Sequence, residues 1–482
     1  MDRRFWIGAL SGILAIGFQQ RIDATGIVRD PQDAPTLQDA TVPLTTSASG
    51  HWIAARGSEG TIQVADLGTG RKIFDLKTNS STLNELAFSP DGKILASAHS
   101  SDRIYVWDTS SGNRVRELRG DRSAFEHVVI TSDNSIVAGL GDHSIRIWGA
   151  TPDARMLEVP GAVKALCGTR PLAAVQRGPW TILIWDWRKN QELWSLTWEP
   201  QGDDPRRTTS SSTFSPDGGL FACGMQGGPI YLWDTGSGQK RIVLEGHTGA
   251  VTSLSFSSDG RLLASCGGDA AVRLWEVSSG KEIVKQEGGG ILGVAFALRD
   301  RKLACASRSD VRIKNLAEFI RGDPPADLWD GLAGPEATQA YRSLWALLQK
   351  SDAVALLSEK LVPAKDEDIR RHLPDLQSDI PEVRERAVAA LGRVGSEALP
   401  VLQKAAEGAG AIDLRSRIED IIAGYAGPLV RAPGLLRRIR SIQALENLGA
   451  GDVLRRITKD FAGTREAAEA EASLKRLEAG GR

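Results

Sequence analysis

Cysteine is scarce in this chain of 482 residues: there are four, at 167, 223, 266 and 305, and none in C-x-x-C spacing. That excludes a disulfide framework and a thiolate zinc site. Net charge is nearly absent too, with 59 Lys+Arg against 60 Asp+Glu and a formal charge of −1. Residues 317–482 share this balance, so no basic field invites nucleic acid. The six histidines show neither H-E-x-x-H nor any other metal-ligand spacing, so no metal is expected. The turns "GTGRK" and "GSGQK" lack the Gly-Lys-Ser/Thr ending of a phosphate loop, and no cofactor is expected either. Long apolar runs are missing except for one, Phe5 to Phe18, which follows two arginines. It has the length of a secretory signal's apolar region and is short for a bilayer. Residues 1–24 therefore read as a signal-peptide-like or membrane-tethering segment. The expected location is exported or membrane-associated, with cytoplasmic as the alternative.

Tyrosine is also rare, at 4, yet tryptophan reaches 13 and glycine 51. Both are explained by a repeat. The strand-like runs "TIQVADLGTG", "RIYVWDTSSG", "SIRIWGATPD", "TILIWDWRKN", "PIYLWDTGSG", "AVRLWEVSSG" and the degenerate "DVRIKNL" recur along the chain. Their anchors are Ala65, Trp107, Trp148, Trp185, Trp233, Trp275 and Lys314, separated by 42, 41, 37, 48, 42 and 39 residues. Gly50, Gly92, Gly218 and Gly260 stand 15 residues before an anchor, and Gly70, Gly112, Gly238 and Gly280 stand 5 after one. Asp153 and Asn190 hold the later position in copies three and four, and both tolerate a left-handed turn. Between turns, period-two alternation of β-branched and aromatic residues predicts four short strands per copy. One such small sheet cannot cover its own apolar faces, but a ring of them can.

From about Thr41 to Leu316 the repeat resembles the WD40 family. The resemblance implies an all-β seven-bladed β-propeller over 25–316. Copy seven lacks its last strand, and in the family the N-terminal segment usually supplies it. Something within Gly26–Ala40 should therefore pair with Val311–Leu316. Copy six holds His247, Ser265, Asp269 and Trp275. A hydrolase reading would need an exposed serine and oxyanion donors. The resemblance implies instead a structural tetrad, hydrogen-bonded and buried, with no catalytic residue. Other copies keep only fragments of it: Ser97 in copy two, Asp142 in copy three.

Past a linker at 317–333 the period shifts to that of helices. "GPEATQAYRSLWALLQ" places Tyr341, Leu344, Trp345 and Leu348 on one stripe. "VRERAVAALGRVG" and "RRIRSIQALENLG" resemble HEAT-type repeats, which implies an all-α HEAT-like domain over 334–482. The whole layout is similar to bacterial WD40 proteins with helical C-terminal regions, a likeness that supplies no activity. The cluster Arg437, Arg438, Arg440 reads as a solvated helix face.

Copy four concentrates tryptophan, and two of them, Trp180 and Trp198, fall in loops expected on one face of the disc. With Arg177, Arg206 and Arg207 they form a candidate partner-binding surface, tryptophan and arginine being the residues that dominate interface hot spots. The alternative is that both tryptophans fold back over blade edges. The functional expectation is a non-enzymatic scaffold whose partners are other proteins, with no nucleic acid and possible membrane tethering through the N-terminus. The rival is a small-molecule-binding or catalytic propeller using its central channel.

Overall fold

The computed structural model describes residues 21–22, 27–29, 36–47, 50–69, 71–78, 80, 82–120, 123–149, 154–198, 208–288, 290–297, 300–426 and 429–480. The apolar stretch 5–18, Arg206 and Arg207 lie outside them. No described helix is long and apolar enough to cross a membrane.

Each copy of the repeat is one four-stranded antiparallel meander, and seven of them form a β-propeller. Blades 1 to 6 occupy 41–77, 83–119, 125–158, 162–197, 209–244 and 251–287. The first strands of successive blades adjoin one another around the ring, and the first strand of blade 7 meets that of blade 1. Blade 7 contains Gly293–Ala297, Lys302–Ala306 and Asp310–Asn315, and takes its fourth strand from Thr36–Gln38. The register is Thr36 opposite Arg312, Leu37 opposite Val311, and Gln38 opposite Asp310. This N-terminal strand removes the open edge that a three-stranded blade would expose.

A meander sends its turns alternately to the two faces of the disc. Turns joining strands one to two and three to four make the turn face. Turns joining strands two to three, and the connections between blades, make the loop face. On the turn face Gly280 has φ 68°, and a Cβ there would lie 1.7 Å from Ile242 Cδ1 of the previous blade. Gly238 likewise sits over the Trp194 indole. Glycine at this turn thus satisfies both a left-handed backbone and close blade-to-blade contact.

The inner strands of neighbouring blades are stitched by side chains. Glu85 accepts from the Val128 amide (2.6 Å), and Asn84 donates to the Phe125 carbonyl (2.8 Å). Ser212 donates to Lys164 O, Ser211 to Val251 O, and Thr46 to Phe296 O. Ser253 and Ser255 accept from the amides of Val294 and Phe296. Short polar residues at these positions satisfy backbone groups that no ladder reaches.

The C-terminal region is all-helical: α1 (Leu316–Phe319), α2 (Leu328–Gly331), α3 (Ala337–Leu348), α4 (Ala353–Lys360), α5 (Asp366–Arg370), α6 (Pro381–Gly392), α7 (Leu399–Glu407), α8 (Ile412–Ala426), α9 (Pro433–Asn447), α10 (Gly451–Asp460) and α11 (Arg465–Gly480). The stretch 317–333, read from the sequence as a linker, carries two of these helices and buries Phe319, Ile320 and Leu332. Those residues join Ile283, Phe296 and Leu303 of blades 6 and 7 to Tyr341, Leu344 and Ile442 of the helices in one continuous core. A second core, built from α5 to α9, is purely helical.

Candidate functional site

In blade 6 the four residues singled out in the sequence come together. His247 Nδ1 lies 2.8 Å from Asp269 Oδ1, and His247 Nε2 lies 2.8 Å from Ser265 Oγ. Trp275 Nε1 donates to the same Ser265 Oγ at 2.9 Å. One assignment satisfies every group: Trp N–H to Ser oxygen, Ser O–H to His Nε2, His Nδ1–H to carboxylate. The polarity is that of a hydrolase triad, but Ser265 is 0% exposed and its oxygen already accepts the indole proton. No carbonyl carbon can reach it. Burial holds the His247 imidazole below its usual pKa, opposed by the Asp269 carboxylate, so the ring is a neutral relay.

Blade 2 carries a second network that the sequence reading missed. His99 Nε2 lies 3.0 Å from Ser97 Oγ, and Trp107 Nε1 donates to that oxygen at 3.2 Å. Here Nδ1 faces the Thr82 carbonyl at 3.1 Å, where blade 6 has a carboxylate. The histidine enters from the second strand, two residues after the serine, so Ser101 at the aspartate position leaves nothing orphaned. With no carboxylate beside it, burial pushes the His99 pKa down to about 4. The signal was a histidine on an otherwise small, apolar strand, "ILASAH".

The proposed tryptophan surface is only partly present. Arg177 is exposed on the loop face and Trp180 is half-buried. Trp198 is buried, in contact distance of Tyr231 and Trp233 with ring centroids 6.3 and 6.0 Å away. It fills the seam between blades 4 and 5 and cannot meet a partner, which corrects the expectation of two exposed indoles. The exposed tryptophan of this blade is Trp194, on the outer strand, 38% accessible and donating to the Thr235 carbonyl.

The arginine cluster is also corrected: it is not a solvated face. Arg440 is fully buried and forms a two-pronged bond to Glu276 of blade 6, both contacts at 2.8 Å, while also donating to Gly334 O. Arg438 pairs with Glu397, and Arg437 with Asp330. From the propeller side Arg261 reaches Glu446 (2.7 Å), Glu469 (3.3 Å) and Ser473 (2.9 Å). These contacts place α9 and α11 on the turn face of blade 6. Glu276 had a sequence signal: it is the single glutamate following an anchor tryptophan, where blades 2, 4 and 5 have aspartate. Asp108 and Asp234 cap their own turns through Ser111 and Ser237. One methylene longer, Glu276 engages Ser279 and still reaches Arg440.

The four cysteines are free and buried, and burial raises the thiols of Cys223, Cys266 and Cys305 to about 12, 11 and 12. Among the described residues no group of three or more His, Cys, Asp or Glu side chains is placed to hold a metal ion.

Two segments match known family models. Residues 238–276 match the WD domain, G-beta repeat, and residues 47–134 match the Anaphase-promoting complex subunit 4 WD40 domain. A comparison of the chain with curated proteins finds no match.

Proposed function

We propose that the chain is a non-enzymatic scaffold that presents the loop face of its propeller to protein partners. Propellers of this repeat type are generally protein-interaction scaffolds, and one observation supports the choice of face. The helices occupy the turn face around blade 6 through Arg440–Glu276 and Arg261, leaving the opposite face to a partner. Arg177 and the accessible part of Trp180 stand on that face, the combination of guanidinium and indole that anchors protein interfaces. The rival channel reading is weakened because the polar side chains of the inner strands hold neighbouring backbones and offer a ligand little. The packing of consecutive helices in the pairs α7–α8 and α10–α11 favours a HEAT-like reading of the helical region. The apolar run after two arginines favours export or membrane tethering. The test is recovery of partners by the wild type and by an Arg177→Glu, Trp180→Ala double variant. Loss of partners with an unchanged thermal midpoint is expected. Retention of every partner by a folded variant would reject this face.

A further inference from the structure

The outer strand of a blade presents unpaired backbone groups along its far edge. Two blades have that strand covered from within the chain. Beyond the fourth strand of blade 7, Ile27–Arg29 pairs with Thr36–Gln38, and Arg21–Ile22 pairs in turn with Ile27–Arg29. An extended segment is thus added to a blade edge in this molecule. The outer strand of blade 6 lies against α3 instead. Arg114–Arg119, the outer strand of blade 2, has no strand beyond it among the described residues.

Three observations on that strand point to a ligand. The first is charge. Arg103, Arg114 and Arg119 converge on one carboxylate, Glu117, at 2.7, 3.8 and 3.1 Å. Arg116 has no carboxylate partner among the described residues, and donates to the Gly149 carbonyl at 3.2 Å. The outer strand of blade 6, by contrast, matches Glu282 to Arg273 and Glu287 to Lys285. The second is space: a cavity of about 580 Å³ beside the strand, lined by Arg116, Glu117, Leu118, Arg119 and Trp148 of blade 3. The third is an unused donor. Trp107 and Trp275 give their indole protons to Ser97 and Ser265. Blade 3 has Ala138 at that position, so the Trp148 N–H finds no acceptor among the described residues, although the side chain is 2% exposed. Unlike the unbonded indole nitrogens of Trp187 and Trp345, it is not sealed from the cavity that its ring lines. A buried donor in that state calls for an acceptor, and a carboxylate placed between it and a guanidinium serves both.

We propose that the outer edge of blade 2 receives an extended acidic segment of a partner protein, added to the blade as a further strand. A glutamate or aspartate of that segment enters the cavity to meet Arg116 and the Trp148 N–H. An apolar neighbour covers Val115, which is exposed on the same strand. Main-chain pairing supplies affinity in such an addition, and the alternate side chains and the charge match supply specificity. The proposal is independent of the loop-face reading, because it concerns the rim of the disc.

Fluorescence polarisation of the full chain with two labelled peptides of equal length tests it, one alternating glutamate with valine and the other lysine with valine. Saturable binding of the glutamate peptide alone is expected. Arg116→Glu should weaken it by about tenfold or more, the worth of one charge-assisted hydrogen bond. Arg308→Glu makes the same charge change on the loop face of blade 7 and should leave the affinity as it is. Ala138→Ser offers the Trp148 N–H an acceptor inside the blade and should also weaken binding. The indole N–H resonance of Trp148, assigned with Trp148→Phe, should shift when the peptide is added. Absence of saturable binding to the wild type overturns the proposal without recourse to any variant. So do equal affinity for the two peptides, and equal losses in Arg116→Glu and Arg308→Glu. N-acetylglutamate amide binding as tightly as the peptide would overturn the added strand, since a carboxylate pocket would then suffice.

Discussion

Blades 6 and 2 are built from the same sentence, yet one is roofed by helices and the other faces solvent. The difference lies at equivalent positions. In each outer strand a bulge follows the turn, and the bulged residue points outward: Ile283 in blade 6, Val115 in blade 2, Ile73 in blade 1. Ile283 is 0% exposed under α3, whose Thr338 bonds its carbonyl, while Val115 and Ile73 are 54% and 40% exposed. After the anchor tryptophan, blade 2 has Asp108, closing its own turn, and blade 6 has Glu276, holding Arg440. Domain docking is thus written as small departures from a repeat. The repeat supplies the fold, and its exceptions supply the interface.

Breaking the exception should have the largest effect. Removing one member of a buried ion pair leaves an uncompensated charge, at about 3–5 kcal/mol. Glu276→Ala should therefore lower stability by that amount in urea, whereas Asp108→Ala in blade 2, which removes only hydrogen bonds within an exposed turn, should lower it far less. A Glu276→Met, Arg440→Met double variant removes both charges together and should recover most of the loss. Equal effects of Glu276→Ala and Asp108→Ala would dissolve the contrast between the blades.

The histidine networks sharpen it further. The His99 pKa falls from 6.5 in the unfolded chain to about 4 in the native one. The unfolded state then binds more protons between those values, so stability rises with pH. The contribution is complete above pH 6.5 and is lost as the pH falls through 4, about 3 kcal/mol in all. His247 shifts in the same direction, but Asp269 opposes its shift. His99→Asn should accordingly flatten the stability profile between pH 6.5 and 4 more than His247→Asn does. Urea midpoints measured every half unit would show it, and parallel profiles for the two variants would refute the distinction.

How much of this was legible before the structure follows from the range of each signal. The seven anchors, the turn glycines and the blade 6 tetrad are local spacings, and spacing survives in a sequence. The closing strand was expected from the resemblance, and it lies at Thr36–Gln38. What escaped were contacts made at long separation. Arg440 looked like a surface charge because its partner lies 164 residues away. Trp198 looked exposed because a loop position says nothing of the neighbouring blade that encloses it. His99 escaped because a histidine arriving from the strand performs the role usually given to one from the preceding loop. The linker misled for a similar reason: "RGDPPAD" is polar, but the residues flanking it, Phe319, Ile320 and Leu332, join a core shared by both domains.

The smallest effect concerns the centre of the third strand, two residues before the anchor. Blade 6 has Arg273 there, bonded to Glu282 and to the Gly246 carbonyl. Blade 2 has Tyr105, whose ring meets His99 and Trp107 edge-on at 5.1 and 6.0 Å and whose hydroxyl is buried without a partner. A buried hydroxyl that makes no hydrogen bond lowers stability, and its removal leaves the ring contacts intact. Tyr105→Phe should therefore leave stability unchanged or raise it by about 1 kcal/mol. Arg273→Met, by contrast, strips Glu282 and the Gly246 carbonyl of their donor and should destabilise. Equilibrium urea unfolding resolves the sign of both changes. A loss of more than about 1 kcal/mol in Tyr105→Phe would mean that the hydroxyl has an acceptor, and that blade 2 is as fully bonded at this position as blade 6.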